Sequence, residues 1–269
     1  MDIVDSQVHI GPGGADDLLA AMNALGIKAV LNDELWLGTP GDPGYSVGGG
    51  KAFRTTSPTA ELAAWTHKGR FSYLVRVDRF DPDLRQVVKF AKESTYVRAL
   101  RVSPGMNRAE TKGFADGEFD GVLKAATEFD LPIFVQIAGN TDLLAKRMEM
   151  FPNVKVIICH CGMPPGPKLW PIFAKIEGLP DSMEYWGKVG AEPAAQAFDK
   201  VLRIADKKNV ALKWGHAPTM FDAPGYPNDG TRPYLRKALN AFGAERIMWC
   251  SDISANQTGE SWAELLFGI

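Results

Sequence analysis

Short apolar runs alternate with longer segments of helical spacing along the whole chain. The first run, residues 2–8, opens on Ile3-Val4 and leads through Asp5-Ser6-Gln7-Val8 to His9. In a strand alternate side chains share a face, so Asp5, Gln7 and His9 point one way. Further strands are predicted at 28–31, 71–77, 97–102, 133–137, 155–159, 210–213 and 246–250. Helices are predicted between them at 16–25, 58–68, 81–92, 119–129, 141–150, 193–207 and 231–241, with a short last one at 260–267. Eight strand–helix units in succession predict parallel strands joined by right-handed crossovers. Such a series closes most naturally into a single (β/α)8 TIM barrel, whose chemistry sits at the C-terminal ends of the strands. The whole chain, residues 1–269, is read as that one domain.

Local punctuation agrees. Pro58 and Pro193 suit first helical turns, Gly26 suits a left-handed cap, and Leu131-Pro132 and Phe151-Pro152 stand where helices should end. Three connections are longer than a barrel needs. These are 32–57, rich in Gly and Pro; 103–118; and 161–192, which carries Trp170, Phe173, Tyr185 and Trp186. All three leave strand C-termini, so they are expected to wall or cover a site at that face. The aromatics of the third connection also point to a possible homo-oligomer.

Composition narrows the function. The 269 residues are 45% hydrophobic and 23% charged, ordinary for a globular protein with a sizeable core. A formal net charge of -2 leaves no electrostatic footprint for nucleic acid. No run approaches the ~20 apolar residues of a membrane span, and no basic-then-apolar leader opens the chain. Three cysteines without framework spacing, Cys159, Cys161 and Cys250, predict reduced thiols and a cytoplasmic protein.

The strand ends gather the candidate chemistry: Gln7 and His9, Arg76 and Asp78, Arg101, Gln136, His160, Lys213 with Trp214 and His216, and Ser251-Asp252. Of four histidines three fall there, and His67 reads as a surface residue on a helix. Each candidate also has a plain structural reading. Gln7 and His9 could be a polar pair closing the barrel, Arg101 an ion pair with Asp33 or Asp78, and Lys213 a buried charge. His216 is a ligand, an acid or a loop residue. Cys159 and Cys161 flank His160 and are expected on the opposite face, as packing residues. Three imidazoles at one rim tip the balance toward function.

Taken in order, these segments resemble the amidohydrolase superfamily, and within it the amidohydrolase-2 (amidohydrolase-related) group. Ile3-Val4-Asp5-Ser6-Gln7-Val8-His9 is similar to that group's opening Asp-x-His-x-His. Gly69-Arg70-Phe71 leading to Arg76-Val77-Asp78 is similar to its third strand, and Arg98-Ala99-Leu100-Arg101 to its Arg-Gly-x-Arg. Leu131-Pro132-Ile133 opens the fifth strand as in the group, and Pro152-Asn153-Val154 with Cys159-His160-Cys161-Gly162 resembles the sixth. Trp249-Cys250-Ser251-Asp252 resembles the closing Gly-Ser/Thr-Asp.

The resemblance implies a lactonase or other hydrolase, or a non-oxidative decarboxylase. Many members of the group hold one divalent metal, often zinc, through the two first-strand histidines, a later histidine and the eighth-strand aspartate. Here Gln7 stands at the first of these, and Gln136 where relatives carry histidine after strand five. An amide oxygen is a weak zinc ligand beside imidazole. The ligand set left is His9, His160 and Asp252, which with water satisfies a catalytic zinc. A metal-independent route is equally open. In it Asp252 takes a proton from water, His9 or His160 polarises a lactone carbonyl, and Arg101 and Arg76 grip a substrate carboxylate. Gln7, Gln136 and His216 complete the expected substrate contacts. The expected partner is a small carboxylated molecule, with neither nucleic acid nor membrane. A metal-dependent decarboxylase and a non-catalytic binding barrel are the competing readings.

Overall fold

Runs of Val, Ile, Leu and Phe, buried on both faces, form parallel strands when helices cover the outside. The computed structural model describes residues 1–11, 13–34, 44–164, 180–223, 225–253 and 259–269. Its strands are β1 (Ile3–Val8), β2 (Ile27–Asn32), β3 (Gly44–Val47), β4 (Ala52–Thr55), β5 (Phe71–Arg76), β6 (Val97–Val102), β7 (Ile133–Val135), β8 (Val156–Ile158), β9 (Val210–Trp214) and β10 (Ile247–Trp249). Eight of them form one parallel sheet in the order β1-β2-β5-β6-β7-β8-β9-β10, and β3 and β4 form a separate hairpin. The helices are α1 (Gly14–Leu25), α2 (Pro58–Thr66), α3 (Leu84–Glu93), α4 (Arg108–Asp116), α5 (Asp120–Glu128), α6 (Thr141–Met150), α7 (Pro180–Val189), α8 (Ala194–Arg203), α9 (Ala217–Met220), α10 (Arg232–Phe242) and α11 (Trp262–Phe267). All eight expected strands and seven expected connecting helices are present, so the predicted barrel is the observed one. Among the described residues no helix is long and apolar enough to cross a membrane.

The sheet curls until its first and last strands meet. Asp252 N–H donates to Gln7 O at 3.0 Å and His9 N–H to Ile253 O at 3.1 Å. Ser6 Oγ adds a bond to Trp249 O at 2.7 Å. The seam is further fastened by Asp5, which is wholly buried. Its carboxylate accepts from Gln7 N–H at 3.1 Å, from Ser251 N–H at 3.1 Å and from Trp262 Nε1 of α11 at 2.9 Å.

Two cores follow from the period-two alternation of the strands. The larger lies between the strands and the helices. The smaller fills the barrel interior with Leu74, Ala99, Phe134, Ile157 and Cys159, packed by Leu31 and Ala211. Register puts Leu74 beside Ala99, and Phe134 beside Ile157, which neighbours Ala211. Two residues further along these strands the same inward face turns polar at Asp33, Arg76, Arg101, Gln136 and Lys213, with Cys159 at the same level. The apolar layer is therefore a floor and the polar one lies just beneath the mouth.

The three long connections hold structure that hydrophobic periodicity missed. The first carries the β3–β4 hairpin, and its buried Glu34 accepts from the first amides of α2, Thr59 at 2.9 Å and Ala60 at 2.7 Å. The second carries α4, capped by Asn107, whose side chain accepts from Glu110 N–H at 2.8 Å. The third carries α7. Trp186 there is 1% exposed and donates to Gly105 O at 2.9 Å. Tyr185 donates to Thr111 Oγ1 at 2.8 Å and accepts from Asn140 at 2.8 Å. Trp186 thus presents no face for the expected self-association, because it packs inward on α4's approach; Trp170 and Phe173 lie outside the described residues. Gly105 is needed there, since a Cβ would stand 2.6 Å from the backbone of Ile137 and Ala138.

Two predictions follow from this packing. Gly105→Ala should lower the unfolding free energy by about 1–3 kcal/mol through overpacking, measured by urea titration; an unchanged midpoint would contradict the close approach. Burial, outweighing its hydrogen bonds, pushes the Asp5 carboxyl up to about 6. A raised carboxyl binds its proton more tightly when folded, so its contribution to stability is full below about pH 4 and lost as pH rises through about 6. Relative to wild type, Asp5→Asn should therefore gain up to about 3 kcal/mol between pH 4 and pH 7. A stability difference that does not vary with pH would refute this.

Candidate active site at the barrel mouth

Four chain segments meet at the mouth: the end of β1, and the turns that follow β8, β9 and β10. Those turns place polar side chains where strand geometry would not. His160, Cys161, His216 and Asp252 all have left-handed backbones, with φ of 50, 55, 54 and 55°. For residues bearing a Cβ this costs about 1–3 kcal/mol each, and such strain collects at functional sites. The turn after β9 also needs Gly215, because a Cβ there would overlap Cys250 Sγ.

Asp252 is the centre of the group. His216 Nε2 lies 2.6 Å from its Oδ2 and His9 Nε2 3.0 Å from its Oδ1. Gln7 Nε2 also donates to Oδ1. His160 Nδ1 stands 3.9 Å from Oδ2, and the His160 and His216 rings have centroids 5.0 Å apart. Burial opposes the charge on Asp252, yet His216 and His9 hold its carboxyl well below the usual carboxylate range. Burial, and then the nearby Lys213, hold the His160 imidazole well below its ordinary value, which keeps it neutral near pH 7.

Beneath the mouth lies a network of buried charges. Arg101 NH1 donates to Gln7 Oε1 at 2.9 Å and approaches Cys159 Sγ at 3.1 Å, while NH2 donates to Gln136 Oε1 at 3.1 Å. Lys213 Nζ donates to the same Gln7 oxygen. Arg76 grips Asp33 with both arms, at 2.8 and 2.7 Å, and Arg101 stands 3.7 Å from Asp33. Burial pushes the Asp33 carboxyl up, but Arg76 and Arg101 outweigh it and hold it at about 2. Asp78 joins neither arginine and instead accepts from the amides of Phe53 and Phe80, each at 2.9 Å.

The structure thus brings His9, His160, His216, Asp252, Gln7, Arg101 and Gln136 together. Arg76 instead pairs with the buried Asp33 through Nε and one Nη, and it also lines a cavity beside α3. Cys159 is not on the far face as expected. His160 lies past the end of β8 with φ 50°, so alternation stops applying and both side chains turn inward. Asp33 and Lys213 join this group as well. Alternation along β2 and β9 marks both as inward, and that was the available signal. Elsewhere, a cavity of about 550 Å³ beside α3 is lined by Arg54, Val75, Val77, Asp81, Val87 and Phe90. It includes neither Asp252 nor the three histidines.

One ligand atom from each of His160, His216 and Asp252 lies within 4.8 Å of the others, a group that could hold a metal ion. The donor chemistry fits a divalent transition metal, two imidazoles and a carboxylate. His160 Nδ1 supports the fit, being buried without a hydrogen-bond partner. His216 stands in this group where His9 was expected. The turn before α9 swings its ring inward, while His9 sits on the other carboxylate oxygen.

No curated protein matches the chain. Among solved structures, an amidohydrolase from Burkholderia multivorans with bound zinc matches at a TM-score of 0.67 and 17% identity, over 100% of this chain and 90% of that one. A Pseudomonas putida protein with the provisional name 2-pyrone-4,6-dicarboxylic acid hydrolase matches at 0.67 and 17%, over 99% and 89%. The 5-carboxyvanillate decarboxylase of Sphingomonas paucimobilis matches at 0.59 and 13%, over 100% and 91%. At these identities the likeness is one of fold. The sequence profile of the amidohydrolase family, however, matches residues 4–265. Since that span runs from β1 into α11 and takes in every residue gathered at the mouth, this chain belongs to the amidohydrolase family.

Proposed function

We propose that the chain hydrolyses a small carboxylated lactone, or a similar carbonyl compound, with Asp252 as the base that activates water. Members of the family are enzymes, hydrolases or decarboxylases. The observation that carries the hydrolase reading is the setting of Asp252. It is a buried carboxylate kept ionised, with an imidazole against each oxygen and a neutral imidazole 3.9 Å away.

In this reading water gives a proton to Asp252 as its oxygen attacks the carbonyl carbon. The carbonyl oxygen takes the displaced electron pair and is stabilised by His9 or His160. Collapse breaks the ring C–O bond. The proton on Asp252 passes through His216, 2.6 Å away, to the departing alkoxide. The product is an open hydroxy acid, and Asp252 is ionised again. Its depressed proton affinity makes this return favourable. A divalent ion held by His160, His216 and Asp252, zinc first by donor type, would add Lewis acidity and a more acidic bound water.

Arg101 is assigned the substrate's carboxylate. One of its arms rests on Gln136, a neutral amide that a carboxylate displaces because the charge-assisted bond is stronger. Gln136 then turns to the substrate. Arg76 and Gln7 act from below, by holding Asp33 and Asp252 in place.

Acid release from a panel of carboxylated and neutral lactones tests the reading. Asp252→Asn should cut kcat/KM by about 10²- to 10⁴-fold. Arg101→Met should cut kcat/KM about 10- to 100-fold more on carboxylated lactones than on neutral ones. CO2 release from aromatic acids without any lactone opening would replace the hydrolase reading with the lyase one.

A further inference from the structure

We infer that Lys213, acting through Gln7, sets how tightly the mouth holds a divalent ion, and that it keeps this affinity low. The inference builds on the mouth being the active site, but it is read through metal affinity and needs no turnover.

The orientation of Gln7 is the first observation. Its Oε1 receives both Lys213 Nζ and Arg101 NH1. Two donors engage the two lone pairs of an amide oxygen. Turning the amide over would set its NH2 against an ammonium and a guanidinium, donor against donor. The NH2 therefore has to face Asp252 Oδ1, as it does. What Gln7 presents to the mouth is an N–H, which cannot ligate a cation. The fourth side of the site is closed by hydrogen-bond logic rather than by distance.

The charge beneath Gln7 is the second observation. Lys213 is 0% exposed. Among the described residues no ion pair joins it to a carboxylate; Nζ donates to the Gln7 oxygen, lies 5.3 Å from the centroid of the Phe134 ring, and acts electrostatically on His160, Cys161 and Cys250. A buried ammonium is thus separated from Asp252 by one amide. Its field already stabilises the carboxylate charge, which is what a bound cation would do, and it repels a second cation placed at His160, His216 and Asp252. Lys213 is a positioning residue: it touches Gln7, and Gln7 touches Asp252.

Zinc titration of chelator-stripped protein, followed by calorimetry, tests this with thermal melts as the check on folding. Lys213→Met and Lys213→Gln should each bind zinc about 10- to 100-fold more tightly than wild type, the usual scale for groups behind metal ligands. Lys213→Gln keeps a donor to Gln7 without the charge, and it decides the matter should Lys213→Met fail to fold. Lys213→Arg, which retains the charge, should bind as wild type does. Gln7→His with Lys213→Met should bind most tightly. Equal or weaker binding by both neutral variants would overturn the proposal. So would wild-type protein that keeps stoichiometric zinc through chelator dialysis. Tighter binding by the neutral variants in a protein that opens no lactone would uphold the proposal while removing the hydrolase reading.

Discussion

Everything at the mouth depends on the seam between the first strand and the end of the last. Two backbone hydrogen bonds, Asp252 to Gln7 and His9 to Ile253, close the curled sheet. They also fix a late carboxylate beside an early imidazole and an early amide, more than two hundred residues away in sequence. Closure and site formation are one event. The seam is held by few strand contacts, so its polar fastening matters more. Asp5 gathers donors from β1, from the turn after β10 and from α11, binding the last helix to the strand that leads to Gln7 and His9.

The layer below explains how a barrel interior tolerates so much charge. Lys213, Arg101 and Arg76 face Asp33 and Asp252, three cations against two carboxylates, above a floor of Leu74, Ala99, Phe134 and Ile157. Buried charges of this kind destabilise unless each finds partners. Arg76 and Asp33 satisfy one another directly. Lys213 and Arg101 both donate to the Gln7 oxygen, and Arg101 also to that of Gln136, while the Gln7 amide offers its N–H to Asp252 in return. Gln7 and Gln136 are thus integral to the charge balance of the barrel.

The barrel was legible because strand and helix periods differ so clearly along the chain. Gln7, His9, Arg101, Gln136 and Lys213 were legible as inward groups for the same reason. Alternation along the last strand residues was enough to place them. His160 and His216 were placed less well, because their orientation depends on left-handed backbones that no periodicity announces; Cys159 is extended and follows the alternation from Ile157, which counting back from His160 obscured. The hairpin and α7 escaped because their apolar residues are few and tied to particular partners. For α4 a signal was present in Asn107 before Glu110 and in Gly117 behind, an N-cap and a left-handed C-cap that read as a helix.

The proposed reaction requires Arg101, the mouth imidazoles and Asp252 to act on a single small molecule. A crystal structure with a non-hydrolysable carboxylated cyclic amide measures this most directly. The ligand's carboxylate should lie on Arg101 in place of Gln136, with its carbonyl oxygen in hydrogen-bond reach of His9 or His160 and its carbonyl carbon facing Asp252. A ligand bound in the cavity beside α3, or at the mouth with its carboxylate turned away from Arg101, would contradict the account.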